Sequence, residues 1–360
     1  MERKILTVYT GGTICTEAGE EGRELAPELA KRALLANFSR SRSKYAKLCK
    51  TLFVDSDIPE EYQTLSENMT LEKLNRIIEH LRSFDMSKYA GVIIMHGTDT
   101  LAFSAAIFSI LLADTPVPVM LVSGDRPPAD KSSNANANFR AAVELIMSAI
   151  APNVYVPYRN SDGEIYLHLG SRIMQCANYS DNFFSPNKKG AFPLSKRRER
   201  RKALKKCAQL SLTVKSPVEI DLGVYHPLKE GALLVYPYTG LDYGKIPIEN
   251  AMGVIHRTYH SGTVCLERNK MEEKEYSSHS VLYFADRCRQ AGVPLFISPC
   301  KLSDEQYSTI FDLNNSSGAV FLDMTAEMAY AKLTVGISYG LCGKELEAFM
   351  LTQINNENIG

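Results

Sequence analysis

The stretch from 91 to 100, GVIIMHGTDT, decides the fold of this chain. Its first half is a continuous apolar run, which is typical of a parallel strand buried on both faces. A turn rich in hydroxyl groups follows, and the stretch from 5 to 14, ILTVYTGGTI, repeats this order of strand and turn. Ligands of open α/β sheets bind at the carboxyl ends of the strands, so the sequence predicts a binding site at this edge.

Strand and helix patterns alternate along the rest of the chain. In the first half, helical spacing predicts helices at about 66–84, 100–113 and 134–150, and apolar runs predict strands at 117–122 and 154–156. The second half predicts strands at 233–236, 295–297 and 319–321, helices at 277–291 and 325–335, and a short helix from about Asp304. We therefore expect an α/β protein: a larger N-terminal domain with a mostly parallel sheet covered by helices, and a smaller C-terminal α/β domain.

The length and a change in composition predict the domain boundaries. At roughly 150 residues for each domain, 360 residues are consistent with two domains. The segment 188–206 contains ten Lys or Arg residues and one acidic residue, Glu199, which is typical of a solvated helix or linker. We expect an N-terminal domain at 1–190, which contains both turns, a basic interdomain linker at 191–220, and a C-terminal domain at 221–360.

Composition limits the classes of partner and compartment. Lys and Arg together number 41, as do Asp and Glu, so a net charge of zero does not favour nucleic acid or a membrane surface. No apolar run approaches the roughly 20 residues that span a bilayer, and the start of the chain has no apolar signal region. The eight cysteines form no Cys-x-x-Cys pair. We expect a cytoplasmic protein with reduced thiols.

The two turns carry residue types suited to acyl chemistry. Thr13 follows two glycines, which allow backbone N–H groups to approach a ligand closely, so a nucleophile would lie beside an oxyanion site. A plain turn or a phosphate-binding loop are the alternatives for this segment. Thr98 and Asp99 precede a predicted helix, where such residues also serve as N-caps.

Taken together, the two turns resemble the bacterial-type L-asparaginase family, which includes glutaminase-asparaginases. The family carries a T-G-G-T-I turn and an H-G-T-D-T turn, and both are intact at 10–14 and 96–100. Further matches are SGDRPP at 123–128, Asn138, FSPN at 184–187, DMTAE at 323–327 and KL at 332–333. The match at 323–327 resembles the cytoplasmic type I branch.

This resemblance implies a role for each matching residue. Thr13 corresponds to the nucleophile that attacks a side-chain amide, and Thr98 and Asp99 to the pair that relays protons. The implied substrate-binding residues are Gly12, Ser66, Glu67 and Gly97. The resemblance also implies hydrolysis of L-asparagine or a related small amide through an acyl-enzyme, a homodimer or homotetramer, and neither a metal nor an organic cofactor.

One departure from the family pattern concerns proton transfer. The family has a lysine in an R-x-x-K segment, whereas residues 172–175 read RIMQ and place Gln175 at the lysine position. Glutamine can donate a hydrogen bond but cannot take up a proton. The spacing to Ser185 is one residue short of the family pattern, so Met174 is the alternative occupant of this position.

Two further departures concern the rim of the site. The family's lid carries a catalytic tyrosine, but residues 15–25, CTEAGEEGREL, contain none, and Arg23 lies nearest that place. Four glutamates make this lid acidic, which would repel a dicarboxylate product and favour a cationic substrate. A loop that the family contributes from a partner subunit reads YHSGT at 259–263, with threonine in place of asparagine. His260 or Tyr259 could supply proton transfer there.

These departures leave three functions open. The first is an amidohydrolase that uses Thr13 on asparagine or another amide. The second is a catalytically impaired homologue that binds or senses an amino acid or amide. The third is an amidotransferase component of asparaginase type, supported only by the basic run at 188–206; that branch carries an extra N-terminal domain, which we do not expect here.

Overall fold

The computed structural model describes residues 3–18, 22–56, 58–186, 190–210, 220–267, 276–300, 313 and 315–359. The chain divides into two compact units, Met1–Thr213 and Val214–Gly360. Each unit has its own sheet and its own buried apolar cluster. Among the described residues, no helix combines the length and the apolar character that a membrane span requires.

The first unit contains nine strands and six helices within its described residues. The strands are β1 (Lys4–Tyr9), β2 (Thr16–Ala18), β3 (Arg23–Leu25), β4 (Phe53–Ser56), β5 (Tyr89–Met95), β6 (Val119–Val122), β7 (Val154–Arg159), β8 (Ile165–Leu169) and β9 (Ala191–Pro193). The helices are α1 (Pro27–Ser39), α2 (Cys49–Leu52), α3 (Leu71–Arg82), α4 (Leu101–Leu111), α5 (Ala135–Ile146) and α6 (Arg197–Gln209).

Seven of these strands form one mixed sheet in the order β4-β1-β5-β6-β7-β8-β9. The first five strands in this order, β4, β1, β5, β6 and β7, are parallel; β8 pairs with β7, and β9 with β8, in antiparallel fashion. The predicted mostly parallel sheet is confirmed. Because β1 pairs with β4 on one side and β5 on the other, the strand order reverses at β1. The crevice between the carboxyl ends of β1 and β5 is the switch point where such sheets bind ligands.

Helices α1, α5 and α6 contribute to the buried cluster on one face of the sheet. Phe38 of α1, Phe139 of α5 and Cys207 of α6 belong to the same cluster as Tyr9 of β1. Leu6, which points to the opposite face of β1, is also fully buried. Burial on both faces explains why the parallel strands are continuous apolar runs in the sequence.

The predicted linker at 191–220 is wrong in its first half. Ala191–Pro193 pairs with β8 as the last strand of the sheet, and Arg197–Gln209 is a helix of the first unit. Ala203 and Cys207 are each 1% exposed, because these two apolar positions, one helical turn apart, face the core while the charged residues face outward. Residues 211–219 lie outside the described part of the chain.

The second unit has a four-stranded parallel sheet in the order β10-β11-β12-β13. Its strands are β10 (Ala232–Val235), β11 (Gly253–Arg257), β12 (Leu295–Ser298) and β13 (Val320–Phe321). Its described helices are α7 (Val281–Gln290), α8 (Ala326–Ser338) and α9 (Gly343–Leu351). The predicted smaller α/β domain is confirmed, and the short helix predicted from Asp304 lies outside the described residues.

A fully buried ion pair holds the end of the chain against α8. Lys332 Nζ lies 3.1 Å from Glu357 Oε1, and both side chains are 0% exposed. Lys332 also donates to the Met350 carbonyl, and Glu357 accepts from the backbone N–H groups of Ile354 and Asn355. These hydrogen bonds offset the cost of burying two charges, so neither partner can be removed without leaving the other uncompensated.

Two loops leave the first sheet side by side and meet at glycines. Tyr9 of β1 pairs with Met95 of β5, so the following turns begin at the same level. Gly12 has a φ of +73°, and a Cβ atom there would lie 2.0 Å from the Gly97 Cα. A Cβ at Gly97 would lie 2.5 Å from the Ser66 Cβ. Only glycine allows these backbones to approach so closely.

We expect Gly12→Ala to lower the free energy of unfolding of the first unit by more than the strain of a positive φ would cost by itself. Gly163→Ala is the matched control, because Gly163 has a φ of +81° with open space around its Cβ position. The control should cost about 1 kcal/mol, and Gly12→Ala about 1–3 kcal/mol more through its backbone clash. Urea unfolding followed by circular dichroism measures both, and equal losses would contradict the close approach of the loops.

We expect Glu357→Gln to lower the free energy of unfolding of the second unit by about 3 kcal/mol or more, because the Lys332 ammonium loses its buried counter-charge. Glu345→Gln, an exposed change on α9, should alter it by less than about 0.5 kcal/mol. Calorimetric unfolding provides the comparison. Similar values for the two variants would mean that the ion pair contributes nothing to stability.

Candidate active site

The turn after β1 is tied to two other segments by hydrogen bonds. Thr10 Oγ1 donates to the Met95 carbonyl at 2.7 Å, which joins the turn to the end of β5. The Gly12 N–H donates to the Thr64 carbonyl at 2.8 Å, and the Thr64 N–H donates to the Thr10 carbonyl at 3.0 Å. The segment that begins at Thr64 therefore runs beside this turn and carries Ser66 into the crevice.

The Ser66 hydroxyl is bound to Asp99 by two hydrogen bonds. Ser66 Oγ donates to Asp99 Oδ2 at 2.9 Å and accepts from the Asp99 N–H at 3.1 Å. Thr100 Oγ1 donates to the Ser66 carbonyl at 2.9 Å. Ser66 is buried and Asp99 is exposed. Ser66 thus fixes one oxygen of the carboxylate, while Oδ1 accepts no hydrogen bond from the described residues.

The two candidate threonines follow the two glycines that are in contact. Thr13 follows Gly12, Thr98 follows Gly97, and both threonines are half-buried. The Thr13 carbonyl accepts a hydrogen bond from Thr16 Oγ1 at 2.8 Å. The Thr13 hydroxyl itself has no hydrogen bond within the described part of the chain. The glycine contact therefore brings the segments of both threonines together.

The alternative that Thr98 and Asp99 merely cap a helix does not fit the structure. Thr100 is the N-cap of α4, and its side chain makes no capping hydrogen bond. The Asp99 side chain is directed to Ser66 instead.

Gln175 is placed next to Asp99. Its Nε2 donates to the Asp99 carbonyl at 3.5 Å, and the side chain is exposed. The Met174 N–H donates to the Phe184 carbonyl at 2.9 Å, so residue 174 is engaged through its backbone with the segment before Ser185. Gln175 rather than Met174 thus reaches the loop of the candidate site. Glu67 is exposed in the turn Ser66–Asn68 and makes no hydrogen bond with Asp99.

His96 is buried at the start of the turn that follows β5. It is 0% exposed, and its Nδ1 lies 2.8 Å from the Gly97 carbonyl. Burial lowers the pKa of His96, so the ring stays neutral at physiological pH.

A cleft of about 330 Å³ opens beside Thr98 and Asp99, and several of its residues were not predicted from the sequence. Its other lining residues are Tyr158, Cys176, Ala177, Asn178, Tyr179 and Asp181. Tyr158 is buried, and burial raises its pKa so that the phenol remains protonated. Tyr179 and Asp181 have φ values of 60° and 49°, a backbone strain that is common at functional sites.

The lid predicted at 15–25 is a hairpin in its described residues. β2 pairs with β3 in antiparallel fashion, with Glu17 opposite Glu24. Like charges in this position are unfavourable, so the acidic character of the lid carries a cost in stability. Arg23 Nη1 donates to the Asp125 carbonyl at 3.5 Å, which connects the hairpin to the loop after β6.

The loop at 259–263 is a tight turn of the second unit. The Tyr259 N–H donates to the Thr263 carbonyl at 2.9 Å, and the hydroxyls of Ser261 and Thr263 are 2.8 Å apart. Among the described residues of the whole chain, no group of three or more His, Cys, Asp or Glu side chains could hold a metal ion.

The sequence is similar to several characterised proteins. It is 27% identical to an L-asparaginase of Thermococcus kodakarensis over 183 residues, which is 50% of each chain. It is 26% identical to a 60 kDa lysophospholipase of Mus musculus over 357 residues, 92% of this chain and 58% of that protein. It is 28% identical to a component of the glutamyl-tRNA(Gln) amidotransferase of Saccharolobus islandicus over 244 residues, 66% of this chain and 51% of that protein. The chain thus spans about half the length of these relatives.

Solved structures share the fold. The thermostable L-asparaginase from Thermococcus kodakarensis superposes with a TM-score of 0.70 at 19% identity, covering 99% of both chains. L-asparaginase I from Vibrio cholerae gives a TM-score of 0.67 at 21% identity, again covering 99% of both chains.

The family model for the N-terminal domain of asparaginase matches residues 4–200. This range contains both turns, Ser66, Gln175 and the start of α6, and it is more than half of the 360 residues. The chain therefore belongs to the asparaginase family.

Proposed function

We propose that this protein hydrolyses the side-chain amide of L-asparagine, or of a related small amide, to the acid and ammonia. The observation that carries the proposal is the pair of hydrogen bonds between Ser66 and Asp99 beside the contact of Gly12 with Gly97. This arrangement favours joint action of Thr13 and Asp99 at the switch point of the sheet. Family membership supports an amidohydrolase.

In the proposed reaction, Thr13 Oγ attacks the amide carbon and its proton passes through Thr98 to the Asp99 carboxylate. Backbone N–H groups of the glycine turn stabilise the oxyanion that forms. The relayed proton moves to the leaving nitrogen, ammonia departs, and an ester to Thr13 remains. Water then attacks this ester, which releases the acid and restores the threonine hydroxyl.

Gln175 limits the rate of this chemistry. Its amide group orients the Asp99 loop by donating a hydrogen bond, but it neither takes up a proton nor carries a charge. Loss of one general acid or base costs about 10²–10⁴-fold in rate. We therefore expect slow turnover relative to an enzyme that has a lysine at this position.

Gln175 also favours a second candidate function, the binding of an amino acid or amide without turnover. The Asp99 carboxylate, which Ser66 positions, would bind a ligand equally well in a protein that does not turn it over. The two functions differ in whether ammonia is released and in whether that release depends on Thr13.

We further propose that the protein is a cytoplasmic homodimer or homotetramer in which the loop at 259–263 completes the site of a neighbouring subunit. Light scattering of the purified protein gives the oligomeric state directly. A monomer that still releases ammonia would contradict the shared site.

We expect Thr13→Ala to reduce ammonia release from L-asparagine by at least about 10³-fold, because the hydroxyl that forms the ester is gone. Thr13→Ser, which keeps a hydroxyl, is the matched control and should retain part of the activity. The substrate panel comprises L-asparagine, L-glutamine, cationic amides and a lysophospholipid, the last because of the relative with that name.

The outcomes separate the candidates. Release from one amide that is lost in Thr13→Ala but not in Thr13→Ser supports the hydrolase and identifies its substrate. Turnover that survives in Thr13→Ala would exclude Thr13 as the nucleophile. Binding of asparagine with no release from any compound would favour the second candidate.

We expect Gln175→Lys to raise kcat by about tenfold or more, since an amine near Asp99 can accept and return a proton. Gln175→Met, which matches the length of the side chain without a proton-transfer group, should leave kcat unchanged or lower it. Steady-state ammonia release measures both variants. Equal kcat values for the lysine and methionine variants would show that residue 175 takes no part in proton transfer.

A further inference from the structure

Six residues that take no part in the candidate active site line a groove of about 560 Å³ on the first unit. They are Arg40, Ser41, Arg42, Arg140, Glu144 and Arg200. The first three follow the end of α1, the next two lie on α5, and Arg200 lies on α6. The fold brings these residues together from three distant segments, which a local pattern could not predict.

The groove holds four guanidinium groups and one carboxylate. Glu144 Oε2 lies 2.5 Å from Arg200 Nη1 and compensates that arginine. The side chains of Arg40, Arg42 and Arg140 have neither a hydrogen bond nor an ion pair with any residue that the structure describes. Three uncompensated cations thus face one groove, an arrangement that repels itself unless an anion is bound.

Two basic segments surround this groove. Residues 40–50, RSRSKYAKLCK, contain five basic residues and no acidic one. Residues 196–206, KRRERRKALKK, contain eight basic residues and one acidic one. Both segments therefore carry a local excess of positive charge in a chain whose net charge is zero, and the resulting field attracts anions to the groove.

The chemistry of the lining residues selects the class of anion. Guanidinium groups bind phosphate oxygens in bidentate fashion, and several of them match a ligand with more than one phosphate group. No aromatic side chain lines the groove to stack a base, and no aliphatic one to hold an acyl chain. The volume lies within the roughly 300–1,000 Å³ of small-molecule sites.

We propose that this groove binds a small anion with at least two phosphate groups through Arg40, Arg42 and Arg140. Recognition rests on the phosphates alone. Adenosine triphosphate therefore binds no more tightly than inorganic tripolyphosphate, and high salt weakens the binding of both.

Calorimetric titration of the full chain with inorganic tripolyphosphate at low salt tests this site. We expect saturable binding to one site per chain, weakened at least about tenfold by Arg140→Gln or Arg42→Gln. Arg198→Gln is the matched control: it makes the same change in charge on α6 at an exposed residue outside the groove, and should weaken binding by no more than about twofold.

Two further measurements separate binding from a structural role and from catalysis. Without ligand, Arg140→Gln should unfold at the same temperature as the wild type or a higher one, because repulsion is relieved. Tripolyphosphate at one concentration should raise the unfolding temperature of the wild type more than that of Arg140→Gln. Ammonia release should be unchanged in Arg140→Gln, since this residue has no contact with the candidate active site.

Failure of tripolyphosphate to bind, or equal binding by wild type, Arg42→Gln and Arg140→Gln, would overturn the proposal. Binding of an oligonucleotide without binding of tripolyphosphate would also overturn it and would assign the basic segments to a nucleic-acid backbone instead. None of these outcomes depends on whether the protein hydrolyses an amide.

Discussion

The contact between Gly12 and Gly97 is the constraint on which the candidate site depends. Parallel pairing of β1 with β5 brings both turns out of the sheet at one level, and only two glycines allow the turns to touch. Ser66 then fits against Gly97 and binds the Asp99 carboxylate. The polar contacts of the site thus depend on the close packing of the two turns. That packing depends in turn on the pairing of β1 with β5.

The elements that the sequence predicted well are those whose buried residues follow a local, periodic pattern. The strand predicted at 91–95 is Tyr89–Met95, and the helix predicted at about 66–84 is Leu71–Arg82. Both elements were predicted because their apolar residues follow one another at strand or helix spacing, but the start of the helix was placed five residues too early. Helix α6 was interpreted as a linker because its charge outweighs two buried positions, Ala203 and Cys207. Strand β9, only three residues long, joins the sheet through pairing with β8, which no local pattern specifies.

In the candidate site, too, short motifs predict some of the residues and not others. The threonines and Asp99 were predicted because they lie in short motifs at strand ends, and Ser66 was predicted from the family resemblance. The cleft beside them was missed because its loop depends on positive φ values at Tyr179 and Asp181, which are uncommon for residues other than glycine and, for a tyrosine, are not signalled by the residue type. Such conformations are imposed by the surrounding loop, so they can be read only from the folded chain.

Gln175 shows that the geometry of this site and its proton chemistry are separable. The hydrogen bond from its amide to the Asp99 loop needs only a donor, and glutamine supplies one. Ser66 holds Asp99 independently: its hydroxyl donates one hydrogen bond to the carboxylate and accepts another from the Asp99 backbone N–H. A chain can therefore keep the arrangement of threonines and aspartate while losing its base. The contacts that position Asp99 come from Ser66 and from the amide of residue 175, and neither requires a group that takes up a proton. The test of residue 175 is therefore a test of proton transfer rather than of the geometry of the site.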